Sequence, residues 1–178
     1  MRNNTITKIS TLSMFLALAV LLNYVESFFP TIVPIPGVKL GLANTMNLIL
    51  LYFFGRKEYF SIGFLRVLLM SVMFTGLFTN GFFLSMSGFL LSSIVVLLLS
   101  ISKNFSIFSL SVASAVFHGI GQIICAVILN ANPDGTSIYL FSYLPILIVS
   151  SVITGTLIAL LSSLTIKKLE KTEVFKNF

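Results

Sequence analysis

Four ionisable side chains fall within or at the edges of long apolar runs: Glu26, Lys39, Arg66 and His118. Charge at membrane depth is costly, so such groups usually face protein or a cavity and mark binding sites. Asn44 and Asn47 stand three residues apart and share one helical face. Ser111, Ser114, His118 and Gln122 recur at helical period and make a polar stripe. Glu26, Lys39, Asn44, Asn47, His118 and Gln122 are therefore the candidate ligand-binding residues. The chemistry they offer is recognition. Lys39 would meet a negative group, Asn44 and Gln122 would supply hydrogen bonds, and the 18 phenylalanines would supply apolar walls. A plainer reading stands beside this one. Glu26 and Lys39 could form an interfacial ion pair of little worth, His118 could bond a serine, and Arg66 could brace helices or snorkel.

Catalytic chemistry finds no support. Gly37 and Gly41 lack the Lys-Ser/Thr pair of a phosphate loop. One His and one Cys cannot make a zinc site. His118 has no obvious nucleophile and acid to complete a triad. The chain is read as no enzyme, with no metal and no catalytic residue, and any active transport would draw energy from a partner or an ion gradient.

The elements that hold these residues follow from composition. Of 178 residues, 57% are hydrophobic and 9% charged, and the mean hydropathy is +1.06. A soluble domain carries roughly a quarter charged residues, so a soluble globule and a disordered chain are both excluded. The reading is an all-α polytopic membrane protein. Uncharged stretches of 17, 16, 36, 30 and 32 residues separate the charges, and a span needs about 20 apolar residues. The 36-residue stretch holds two spans around a turn at Thr79-Asn80-Gly81. Six transmembrane helices are predicted: Ile9 to Val25, Leu40 to Phe54, Tyr59 to Gly76, Phe82 to Ile101, Ile107 to Leu129 and Ile138 to Ile166. Residues 1–8 form a cytoplasmic N-terminus, 9–166 one membrane domain and 167–178 a basic tail.

Charge placement sets the orientation. With six spans, Arg2, Lys8, Arg56, Lys57, Lys103, Lys167, Lys168, Lys171 and Lys176 lie on one side, against Lys39 alone on the other. By the positive-inside rule both termini are cytoplasmic, in a bacterial cell membrane. The net charge of +6 is then a topology signal and a contact with anionic lipids, not a nucleic-acid footprint. The outer connection from Glu26 to Lys39 carries Pro30, Pro34 and Pro36, which forbid a regular helix. It reads as a stiff lid or as a structural crossover. Pro145 should kink the sixth helix near its outer end. Small residues recur at Ser151, Gly155, Ala159 and Ser163, at Ser111, Ala115 and Gly119, and at Ser13 and Ala17. Such ridges let helices approach closely. On the fifth and sixth helices they suit internal packing, and on the first a partner surface.

Three runs carry a family resemblance: Tyr24-Val25-Glu26-Ser27, Pro36-Gly37-Val38-Lys39-Leu40-Gly41-Leu42-Ala43-Asn44, and His118-Gly119-Ile120-Gly121-Gln122. They resemble the Gx transporter family, also labelled heptaprenyl diphosphate synthase component I, from about Thr11 to Leu164. That family looks like the substrate-binding (S) components of energy-coupling factor (ECF) transporters. The resemblance implies six helices, both termini inside, and an outward pocket under a long first loop. It also implies an ECF scaffold subunit, met through the Ser13 and Ala17 face, and an external ATPase module. The ligand so implied is small and anionic or amphipathic, and flavin-, quinone- or isoprenoid-related, with no certain cofactor. The alternative is a non-transporting scaffold for a redox partner in flavin- or quinone-linked electron transfer. The synthase label meets a chemical obstacle. Prenyl elongation needs Mg²⁺ held by aspartate clusters, and Asp134 is the one aspartate.

Overall fold

A computed structural model describes residues 2–28, 41–102, 104–129 and 142–172. Lys39, Lys103, Asp134 and the three prolines of the first connection lie outside the described residues. Among the described residues the chain is all helical: α1 (Arg2–Glu26), α2 (Leu42–Phe53), α3 (Arg56–Met70), α4 (Asn80–Leu99), α5 (Ile107–Leu129) and α6 (Leu144–Leu169). A π-helical turn, Ser71–Thr75, extends α3. Five of the six, α2 being the exception, are long and apolar enough to cross a membrane.

The exception departs from expectation. With 12 residues, α2 is about 18 Å long, short of a hydrocarbon layer of about 30 Å. Gly55, at φ 99°, breaks the chain just after it. Half of its residues are buried, among them Asn47, Leu48, Ile49 and Leu50. It is wedged among α1, α3 and α6 rather than exposed to lipid.

Two helix starts and the role of one proline differ from expectation for local reasons. The third helix starts at Arg56, not Tyr59: the Arg56 guanidinium donates to the carbonyl of Ser100 at the end of α4 (3.1 Å), and Glu58 suits the positive end of a helix. The turn foreseen at residues 79–81 falls at 77–79, and the next helix starts at Asn80. Thr79 caps α4 by accepting from the Phe82 amide (3.3 Å), so Asn80 and Gly81 are helical. Residues 138–141 of the expected sixth helix lie outside the described residues. Pro145 occupies the first turn of α6, so within Leu144–Leu169 it bends nothing. There its missing N–H removes no helical hydrogen bond.

Antiparallel neighbours sort the ends of the bundle. At one end Lys8 of α1 pairs with Glu58 of α3, Arg56 meets Ser100, and the Tyr52 hydroxyl donates to Glu170 beyond α6 (2.7 Å). The apolar clusters lie toward this end. One joins Phe15, Ile49, Leu50, Ile62 and Ile166, and the other joins Leu48, Tyr59, Val96, Leu110 and Ile158. The outer faces carry exposed Val72, Ile94, Leu98, Ile128, Val149 and Ile153, which is apolar surface suited to lipid contact.

Small residues set the tightest crossings. Ser87 of α4 donates to the carbonyl of Gly121 on α5 (3.0 Å), and a Cβ on Gly121 would lie 2.7 Å from the Ser87 oxygen. Ser111 of α5 donates to the carbonyl of Gly155 on α6 (2.7 Å). The ridges foreseen on α5 and α6 thus serve internal packing. Ser13 and Ala17 are exposed on α1.

Candidate functional site

At the end opposite the apolar clusters, all six helices surround a cavity of about 450 Å³. Its wall runs from Ser111 to Gln122 on α5 and from Leu147 to Ile158 on α6. Eleven residues of helix rise about 16 Å, so the cavity reaches roughly halfway through a bilayer of about 30 Å. A volume near this is typical of small-molecule sites.

Glu26, Asn44, His118 and Gln122 all line it, so four of the six sequence candidates converge. Lys39 lies outside the described residues. Asn47 is buried at 1% exposure but is not part of the wall. It sits where a Cβ on Gly63 would meet its amide nitrogen at 3.0 Å, in the contact between α2 and α3. Sharing a helical face with Asn44 was not enough, because α2 turns that face past the cavity toward α3.

Each converging side chain has a local cause. Glu26 ends α1, and its carboxylate accepts from the backbone amides of Gly41 and Leu42, the latter at 3.1 Å. A carboxylate thus occupies the positive end of α2 and satisfies amides that have no partner within that helix. Asn44 donates to the Ser114 hydroxyl on α5 (3.0 Å). His118 and Gln122 lie against Gly88 of α4, where a Cβ would come within 2.9 Å of the imidazole and 3.0 Å of the Gln122 side chain. Glycine at that position makes room for both.

The sequence pattern alone did not place Arg66 in the site. α3 and its π-helical extension cover residues 56–75, so Arg66 falls at the middle, about 15 Å from the start. It is 8% exposed and lines the cavity, so it does not snorkel. Its Nε is buried without a hydrogen-bond acceptor, and among the described residues no ion pair reaches it. Glu26 attracts it at longer range. The signal available in sequence was an arginine in the middle of an apolar run; its weakness was the misplaced helix start.

Hydroxyls complete the wall. Ser71 donates to the Val67 carbonyl (2.9 Å), and Ser92 to that of Phe89 (3.0 Å). With their hydrogens committed to backbone, these oxygens keep lone pairs for a ligand's donors. The π-helical turn that holds Ser71 and Thr75 is at the cavity wall, a common place for such turns. Among the described residues no group of His, Cys, Asp and Glu could hold a metal ion. The arrangement can hold a polar ligand. It presents one cation, one compensated carboxylate and many neutral hydrogen-bonding groups.

Residues 15–165 match the sequence model of a family described as heptaprenyl diphosphate synthase component I. No curated protein and no solved structure gives a significant match.

Proposed function

The chain belongs to the heptaprenyl diphosphate synthase component I family, and from that premise we propose that it is the substrate-binding subunit of a membrane transporter, similar to an ECF S component. The observation that carries this reading is the polar cavity of about 450 Å³ within an apolar bundle. A helical brace needs no such space, and buried polar groups without ligand are costly. The family description names a component, and so a multi-subunit assembly. With the basic end placed in the cytoplasm by the positive-inside rule, the cavity lies toward the outer face. Lys39 precedes Gly41 by two residues and belongs to the connection at that end, where it would meet a negative group on entry. The proline-rich connection would close over the ligand. Exposed Ser13 and Ala17 give α1 a small-residue face for a scaffold subunit. Prenyl transfer is assigned to other components, because Mg²⁺-diphosphate chemistry needs several carboxylates and Asp134 is the one aspartate.

Equilibrium binding of flavins, quinone precursors and prenyl diphosphates to the purified protein tests the reading. Asn44→Ala and Lys39→Ala should each weaken a confirmed ligand about tenfold or more. Unchanged binding in both would remove the pocket from the mechanism. Co-purification adds the partner: an ATPase module supports transport, whereas a redox protein without one supports the scaffold alternative.

A further inference from the structure

We propose that Arg66 is the anion receptor at the inner end of the cavity, and that the ligand is an organic anion, a carboxylate or a phosphate, which enters charged end first. The inference rests on the substrate-binding reading and narrows it to a chemical class and a direction of insertion.

The argument starts from cost. A buried guanidinium needs acceptors, since an uncompensated charge in a low-dielectric site is strongly unfavourable. Arg66 is 8% exposed, and its Nε has no acceptor. A bracing arginine would hold helix carbonyls or a carboxylate, and here Glu26 is the acidic side chain of the described wall. Its two oxygens are engaged by the amides of Gly41 and Leu42. The carboxylate therefore holds α2, and the arginine faces the cavity with open donor capacity. No other Lys or Arg belongs to the described wall, so Arg66 is the cationic group there that an anion would meet.

Geometry chooses the anion. Guanidinium presents a planar fork that matches carboxylate and phosphate oxygens two at a time. The neighbouring wall suits the rest of such a molecule. Ser71 and Ser92 offer hydroxyl lone pairs for ligand donors, and Phe89 and Val67 offer apolar contact. Asn44, His118 and Gln122 meet the body of the ligand along the cavity. Arg66 lies ten residues along α3, so an anion bound there is at mid-bundle, and the less polar end of the ligand points to the outer connection.

The test uses the full chain in lipid nanodiscs and three matched pairs: FMN against riboflavin, geranyl diphosphate against geraniol, and 2-naphthoate against 2-naphthol. The phosphate and carboxylate arms separate the two anion types. In the wild type at least one anion should bind tenfold or more tighter than its neutral partner. Arg66→Gln should reduce that preference to within twofold, and Arg66→Lys should keep part of it. Ligand-free Arg66→Gln should also melt at or above the wild-type temperature, because it removes an unpaired buried charge. A brace would melt well below it, and that result overturns the proposal. So does a wild type that binds neutral and anionic partners equally, or a Gln variant that keeps the preference; both leave ligand capture standing. Failure of every probe, charged and neutral, overturns the capture reading as well.

Discussion

Glu26→Ala is the most informative single change for the architecture. The carboxylate at the end of α1 accepts from the amides of Gly41 and Leu42 and so ties the first helix to the second across the first connection. Each hydrogen bond to a charged group is worth about 1.5–3 kcal/mol. Two of them set an upper bound near 6 kcal/mol, with a further contribution from the positive end of α2. Glu26 lines a cavity, so water can reach part of the vacated space and hydrate the freed amides. The expected loss is then about 2–4 kcal/mol. Glu26→Gln keeps one acceptor oxygen but turns an NH₂ toward a backbone amide, so it should lose about half as much. Unfolding in mixed micelles measures both losses. Hydrogen exchange at residues 41–45 shows whether the start of α2 frays. The reasoning fails if Glu26→Ala stays within about 0.5 kcal/mol of wild type and α2 keeps its protection. Glu26 would then be free to act on ligand alone.

Other outcomes follow from the packing. Gly121→Ala places a Cβ 2.7 Å from the Ser87 carbonyl oxygen and 3.0 Å from the Gly88 Cα; both are backbone, so α4 and α5 must separate, at about 1–3 kcal/mol in a thermal unfolding experiment. An unchanged melting temperature would contradict that crossing. A double-mutant cycle on Asn44→Ala and Ser114→Ala should give a coupling of about 0.5–1.5 kcal/mol for their 3.0 Å hydrogen bond, and zero coupling would dissolve the contact. Pro145→Ala should change stability by less than about 0.5 kcal/mol, since the residue begins α6 instead of bending it; a loss above about 2 kcal/mol would restore the kink.

Much of the fold was legible because charge is so sparse. Uncharged runs between Lys8 and Glu26, or between Arg66 and Lys103, leave few ways to place helices of span length. The fifth helix matches its expected bounds, Ile107–Leu129, where Ser111, Ser114, His118 and Gln122 keep one periodic face. α2 was harder. Its apolar run looks like a span, yet a left-handed Gly41 and a positive-φ Gly55 stop it at 12 residues. Hydropathy cannot distinguish a lipid-facing helix from one surrounded by protein. Asn47 lies outside the cavity wall for a related reason: periodicity gives a face but not the neighbour that the face meets. Arg66 was harder to place because α3 starts at Arg56 rather than Tyr59, which sets it three residues further from the helix start.

The position of Arg66 also explains the character of α3. Of the five long helices, α3 is the least apolar and also the most enclosed by protein. A helix that faced lipid would show the reverse relation, since lipid contact demands apolar side chains all round. An arginine at the centre of a span costs about 2.5–3.5 kcal/mol on insertion scales. Among the described residues its Nε meets no acceptor and Glu26 attracts it only at longer range, which leaves water or an anion in the cavity to complete its compensation. Water hydrates a guanidinium, but it does not require a wall with Ser71, Ser92, Ser114 and Gln122 along some 16 Å of its depth. Toward the opposite end the same helices pack in apolar clusters. Polar open packing in one half and apolar packing in the other is the division that the proposed capture of a ligand from one face requires.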